Sequence, residues 1–147
     1  MRVRLAERSD AAHVVRLVSA LLVELGGQAL EPTRAAAVYG ELIARPELGF
    51  ALLGESEDSA SAVCTVSFAH ALRSSGRYAI VQEMYVTPAL RSAGLGRLVI
   101  DEAARRAREA GCPFVELGTP LAGTRQVEFY RRAGFHSVGE RLRRALT

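Results

Sequence analysis

Residues 91–100 read RSAGLGRLVI, and they follow the apolar run AIVQEMYVTP at 79–88. That run reads as a strand over about Tyr78 to Thr87, closed by Pro88. Beyond the glycines the period changes, and Val99, Ala103, Ala107 and Ala110 share one stripe of a helix over 97–110, with Gly111 as its C-cap. The stretch is therefore a strand-to-helix junction. Glycine at 94 and 96 lets the backbone approach a bulky group and adopt positive φ without penalty, while the first amides of the helix have no intrahelical acceptor. The helix dipole adds roughly half a positive charge there, and Arg91 and Arg97 add whole ones. A phosphate or diphosphate is the best complement to such a junction; a plain glycine-bearing turn satisfies the same pattern. A dinucleotide-binding fingerprint does not, because its third position falls on Val99 and too little chain follows for a doubly wound sheet.

Working outward, Val3 and Leu5 alternate with arginines as in a strand, and Ser9 or Asp10 then caps an apolar helix from about Ala11 to Leu25, stopped by Gly26 and Gly27. Thr33 is positioned to cap a second helix reaching about Arg45, with Pro46 as terminator. Phe50 to Gly54 and Ala62 to Ala71 read as strands joined by the turn-prone ESEDSAS, and RSSGR leads into the strand at 78–87. After the helix at 97–110 come a short apolar strand from Phe114 to Gly118, a helix from Thr124 to Ala133 closed by Gly134, and a last strand region from Phe135 onward. The order predicts a mixed α/β layer fold in one domain, 1–147, with locally parallel pairing where the helix at 97–110 crosses between two strands. A ligand is then expected where the carboxyl ends of those strands face the helix start.

Composition narrows the chemistry. All 19 positive residues are arginine, which removes Schiff-base lysine chemistry and the lysine of a Walker A loop. The basic charge is uneven, with 8 arginines against 10 acids over 1–90 and 11 against 6 over 91–147, so an anionic ligand is expected on the second half. Cys64 and Cys112 stand alone and read as buried thiols, and the scattered His13, His70 and His136 suggest no metal. No apolar segment nears the roughly 20 residues of a membrane span, and MRVRLAERSD lacks a secretory core, so a cytoplasmic location is the expectation.

The chain resembles the GNAT family of N-acetyltransferases. Its signature [QR]-x-x-G-x-[GA] is met by Arg91-Ser92-Ala93-Gly94-Leu95-Gly96, after a strand ending Val86-Thr87-Pro88. A second hallmark, F-Y-x-x-x-G-F, is met by Phe129-Tyr130-Arg131-Arg132-Ala133-Gly134-Phe135, about 35 residues on. The resemblance implies a mixed, mostly antiparallel central sheet with helices on both faces. It also implies acetyl-CoA as cofactor, with coenzyme A as product. In such proteins the amides of the glycine loop, here Arg91, Ser92, Ala93, Gly94, Leu95, Gly96 and Arg97, hold the diphosphate, and the backbone of a bulged strand, here Met84, Tyr85 and Val86, pairs with the pantetheine arm.

The implied reaction is direct acyl transfer to an amine, which needs a proton donor for the departing thiolate and a base for the amine. Tyr130 occupies the general-acid position, and its structural alternative is a helix residue with a satisfied hydroxyl. Glu83 in IVQEMYV and Glu116 in FVELG each put a carboxylate where an apolar side chain is expected, so either can serve as base; equally, either can face solvent or pair with an arginine. We favour Glu83. The chain departs from many relatives at Gly123, where they carry a cofactor-contacting asparagine. Acceptors, a small molecule or a protein amine, are expected near the first two helices, where Glu24 and Glu31 could attract a cation or simply be solvated. RLRRALT suggests an abbreviated last strand whose open edge invites a homodimer. The alternative readings are a non-catalytic acyl-CoA-binding sensor and, through the C-terminal arginines, a nucleic-acid binder; with 6% aromatic residues and no interleaved basic-aromatic stretch, the last has few stacking platforms.

Overall fold

The computed structural model describes residues 1–119 and 124–147. It forms two units, Met1–Leu117 and Gly118–Thr147. The first contains β1 (Arg2–Leu5), α1 (Ala11–Glu24), α2 (Pro32–Ala44), β2 (Gly49–Ser56), β3 (Ser59–Ala71), β4 (Gly76–Val86), α3 (Leu95–Glu109) and β5 (Val115–Leu117). The five strands lie in sequence order, antiparallel from β1 to β4, and β5 runs parallel to β4. The α3 crossover between β4 and β5 accounts for that parallel pairing.

Side-chain alternation assigns the two faces. On one, α1 and α2 bury Ala51 and Leu53 of β2, Val63 of β3 and Tyr85 of β4 beneath Val14, Leu17, Val18 and Tyr39. On the other, α3 packs its buried stripe of Leu95, Val99, Ile100, Ala103 and Ala107 against the sheet. The helix begins at Leu95 rather than at 97, and Ala110 is the C-cap, with Gly111 beyond it at φ +87°. Gly54 sits directly below α3: a Cβ there would meet Val99 at 2.9 Å and Ala62 and Leu95 at 3.0 Å.

The caps differ in part from the sequence reading. Asp10 is buried and makes no side-chain cap to α1; its carboxylate instead takes both Arg4 nitrogens, at 2.8 and 2.9 Å, and the Glu7 amide at 2.7 Å. Arg4 also donates to Glu55, so one guanidinium pins the start of α1 to β1 and β2. The cap of α2 is Glu31, which accepts from the amides of Thr33 and Arg34, and not Thr33; Pro32 at the first helical position requires the cap to precede it. Tyr39 of α2 donates its hydroxyl to the Glu7 carbonyl at 2.7 Å, and burial pushes its phenol up to about 12. The β2–β3 hairpin turns through Glu57 and Asp58 at φ 51° and 60°, the two left-handed residues of a mirror-image hairpin turn.

The second unit holds α4 (Arg125–Arg132), capped at Thr124 and closed by Gly134 at φ +95°. The expected last strand is not formed: 135–147 carries no regular structure, and Val138, Leu142 and Leu146 are exposed. An apolar alternation makes a strand only when a neighbour shares its hydrogen bonds.

Two stability measurements test this packing. Gly54→Ala should cost about 1–3 kcal/mol in urea unfolding, because the added methyl enters a filled gap beneath α3. The Arg4 hydrogen bonds hold the Asp10 carboxyl at about 2 against an ordinary 3.8. That stabilisation is complete above the unfolded value and lost as pH falls toward the folded one. Asp10→Asn should therefore cost about 2 kcal/mol at pH 7 and progressively less as pH falls through about 2.

Candidate functional site

The carboxyl half of β4 is built around a bulge. Thr65 of β3 stands opposite Glu83, but Val66 stands opposite Val81, so Gln82 has no cross-strand partner. The Glu83 amide donates to the Thr65 hydroxyl at 3.1 Å. The extra residue flips the alternation: Ala79 and Val81 share the α3 face with their partners, whereas Glu83 and Tyr85 share the α1 face with Thr65 and Val63.

The bulge also marks where β4 and β5 part. Their register runs Ala79 with Val115, Ile80 with Glu116 and Val81 with Leu117, and ends there. Past the bulge the Thr87 amide donates to the Ser61 carbonyl of β3 at 2.9 Å. Alternation then turns the backbone of Tyr85 toward β3 and that of Met84 and Val86 away from it, to a side where no strand pairs among the described residues. Met84 and the Val86 amide thus face an edge no strand pairs with among the described residues, while the Val86 carbonyl accepts from the Arg91 side chain.

Two short turns lead from β4 into α3. The amides of Arg91 and Ala93 bond to the carbonyls of Pro88 and Leu90 at 3.3 and 3.2 Å. Ser92 takes φ +74° and Gly94 +95°, so the left-handed positions are 92 and 94. Gly96 lies within α3 and needs no positive φ, contrary to the expectation for both glycines. The nearest atom to a Cβ on Gly94 is 4.0 Å away, so the loop surface there is open. Among the described residues the amides of Ser92, Gly94, Leu95 and Gly96 have no hydrogen-bond acceptor. Leu95 and Gly96 are orphan donors of the helix start, and Ser92 and Gly94 belong to the turn just before it, so the four lie within five residues.

Charge at the junction is more balanced than residue counting implies. The Arg97 Nε donates to both oxygens of Asp101 at 2.9 and 3.0 Å. Arg91 reaches back from the loop: its Nε donates to the Val86 carbonyl at 2.9 Å, its Nη2 meets Glu24 at 2.8 Å, and its guanidinium lies 5.2 Å from the Tyr85 ring centre. The anion-seeking character of the junction thus rests on backbone dipoles more than on arginine charge.

The two carboxylates are placed differently. Glu83 is half-buried on the α1 face, where desolvation raises its pKa and the Thr65 hydroxyl partly opposes that rise. Cys64, fully buried beside it in β3, has its thiol pushed up to about 12 by desolvation first and by the Glu83 charge second. Glu116 accepts from Arg73 at 2.9 Å, and Arg73 also stacks over Tyr78 and Phe114. Glu24 and Glu31, read as possible attractants for a cationic acceptor, are engaged by Arg91 and by the α2 amides.

Tyr130 lies in α4, with edge-on ring contacts to Phe129 at 5.1 Å and Phe135 at 5.7 Å. Gly123 lies outside the described residues. Thr65 and Gln82 were not singled out from the sequence; a threonine inside the apolar SAVCTVSF was the available signal for the first.

The chain matches the model of the Acetyltransferase (GNAT) family over residues 18–135. Among solved structures, an integron cassette protein from the mobile metagenome of Cole Harbour Salt Marsh superimposes with TM-score 0.87 at 25% identity, over 99% of this chain and 90% of its own. A predicted acetyltransferase from Clostridium acetobutylicum, solved with acetyl-CoA, gives 0.82 at 20% identity, covering 99% and 96%. An aminoglycoside 6′-N-acetyltransferase from Acinetobacter haemolyticus gives 0.79 at 17%, covering 100% and 99%. No curated protein matches in sequence.

The position of Glu83 yields a pH test. Its raised pKa means that ionising it costs the folded state free energy, a cost absent below the ordinary carboxylate value of 4.5 and growing as pH rises through the folded value. Glu83→Gln should therefore melt at a higher temperature than wild type at pH 8 and at an equal one near pH 4, read by calorimetry.

Proposed function

The chain belongs to the GNAT acetyltransferase family, and from that premise we propose that it is an N-acetyltransferase that moves an acetyl group from acetyl-CoA directly to an amine. The observation that carries this reading is the pairing, in one unit, of acceptor-free amides at Ser92, Gly94, Leu95 and Gly96 with an open backbone edge at Met84 and Val86. The first suits a diphosphate and the second suits a chain of amides. The residues present therefore fit coenzyme A, with Arg91, Ala93 and Arg97 completing the loop and Tyr85 backing the edge.

Acetyl-CoA, when bound, supplies an activated thioester. The chain's own residues do the rest. Met84 and Val86 orient the arm through their main-chain groups, and the loop amides neutralise the diphosphate without a lysine. Glu83 takes a proton from the amine, directly or through water; its raised pKa makes it a better base than an ordinary surface glutamate. Glu116, held by Arg73, is the second choice. Tyr130 gives its phenolic proton to the departing sulfur; this role rests on its place in FYRRAGF.

Thermal shift with acetyl-CoA, and release of free thiol across a panel of amines, test cofactor and chemistry separately. Wild type should show both. Tyr130→Phe and Glu83→Gln should keep the thermal shift while thiol release falls by about 100-fold or more. A shift with no thiol release from any amine would instead identify a non-catalytic acyl-CoA sensor.

A further inference from the structure

The side chain of Arg91 stands in an unexpected place. A loop arginine beside a diphosphate site is free to point outward, yet this one turns back onto β4 and fills the Val86 carbonyl, one of the backbone groups on the open edge. Its other end is held by Glu24, the last residue of α1. Nothing about the helix itself favours that carboxylate: the C-terminal end of a helix dipole is negative and disfavours an acid, and the helix is already closed by Gly27 bonding to Leu22 and by Gly26 at φ +89°. What Glu24 does is hold a guanidinium across the end of β4.

Resting on the acetyl-CoA reading above, we infer that Glu24 and Arg91 form a latch over the cofactor's edge. The latch satisfies the Val86 carbonyl; the cofactor's arm takes that carbonyl only after the Arg91 Nε lets go. Glu24 is a positioning residue that acts through Arg91. Both partners of the latch are about two-fifths exposed, 42% for Arg91 and 37% for Glu24, so the closed form is favoured only modestly.

Isothermal calorimetry on wild type, Glu24→Gln and Arg91→Lys separates the possibilities, using coenzyme A and adenosine 3′,5′-bisphosphate, a ligand with the nucleotide end but no arm. Glu24→Gln should bind coenzyme A roughly two- to fivefold more tightly than wild type, with unchanged affinity for the bisphosphate. Arg91→Lys, which loses the Nε donor and the planar fork that reaches both acceptors, should show the same selectivity. In wild type, the Arg91 Nε–H resonance should shift on adding coenzyme A and stay put with the bisphosphate. Equal tightening of both ligands would reduce the effect to removal of one negative charge and overturn the latch, as would no change in either. If wild type bound no coenzyme A at all, the cofactor reading itself would fall; if it bound with no difference between variants, only the latch would.

Discussion

The single unpaired residue at Gln82 organises the site. Without it, β4 would keep one alternation along its length. With it, the strand turns over: the half before the bulge sends Ala79 and Val81 beneath α3, and the half after it sends Glu83 and Tyr85 beneath α1. The same step coincides with the end of pairing to β5. A glutamate reaches a half-buried position, and main-chain groups that a continuous sheet would consume are left facing an open edge. A bulge is a small local disruption of the ladder, yet here it leaves both a half-buried carboxylate and an unpaired main-chain edge.

The junction after β4 gathers acceptor-free amides at a helix start in a chain without lysine. Its arginines are committed, Arg97 to Asp101 and Arg91 to Glu24 and Val86. What is left is directional: several N–H groups converging at a helix start, with the left-handed residues at 92 and 94 aiming them outward. Such dipoles are fixed by the fold and lose no side-chain entropy on binding, which suits a ligand that arrives already charged.

Much of this was readable from residues alone. RSAGLG behind Val86-Thr87-Pro88, together with FYRRAGF, identified the family, and periodicity placed each helix and most strands within a few residues. What escaped has physical causes. The Glu31 cap was hidden by Thr33, a good capping residue one position beyond Pro32, although a proline at the first helical turn points to the residue before it. The bulge, expected only through the family resemblance, leaves no trace in hydropathy, so its place at Gln82 was not readable from IVQEMYV. Partners distant in the chain, Glu24 with Arg91 and Glu116 with Arg73, are set by topology rather than local pattern. That is why counting charges overstated the positive field at the loop, and why the region from 135 onward looked like a strand although none pairs with it among the described residues.

Backbone-resolved NMR of the wild-type protein, titrated with coenzyme A, addresses whether main-chain dipoles hold the cofactor. The amides of Ser92, Gly94, Leu95 and Gly96 should move furthest and downfield, joined by those of Met84 and Val86, while the backbone of β2 stays still. Saturating coenzyme A that left those six amides unmoved, or that perturbed only exposed arginines elsewhere, would contradict the assignment of this junction as the cofactor site.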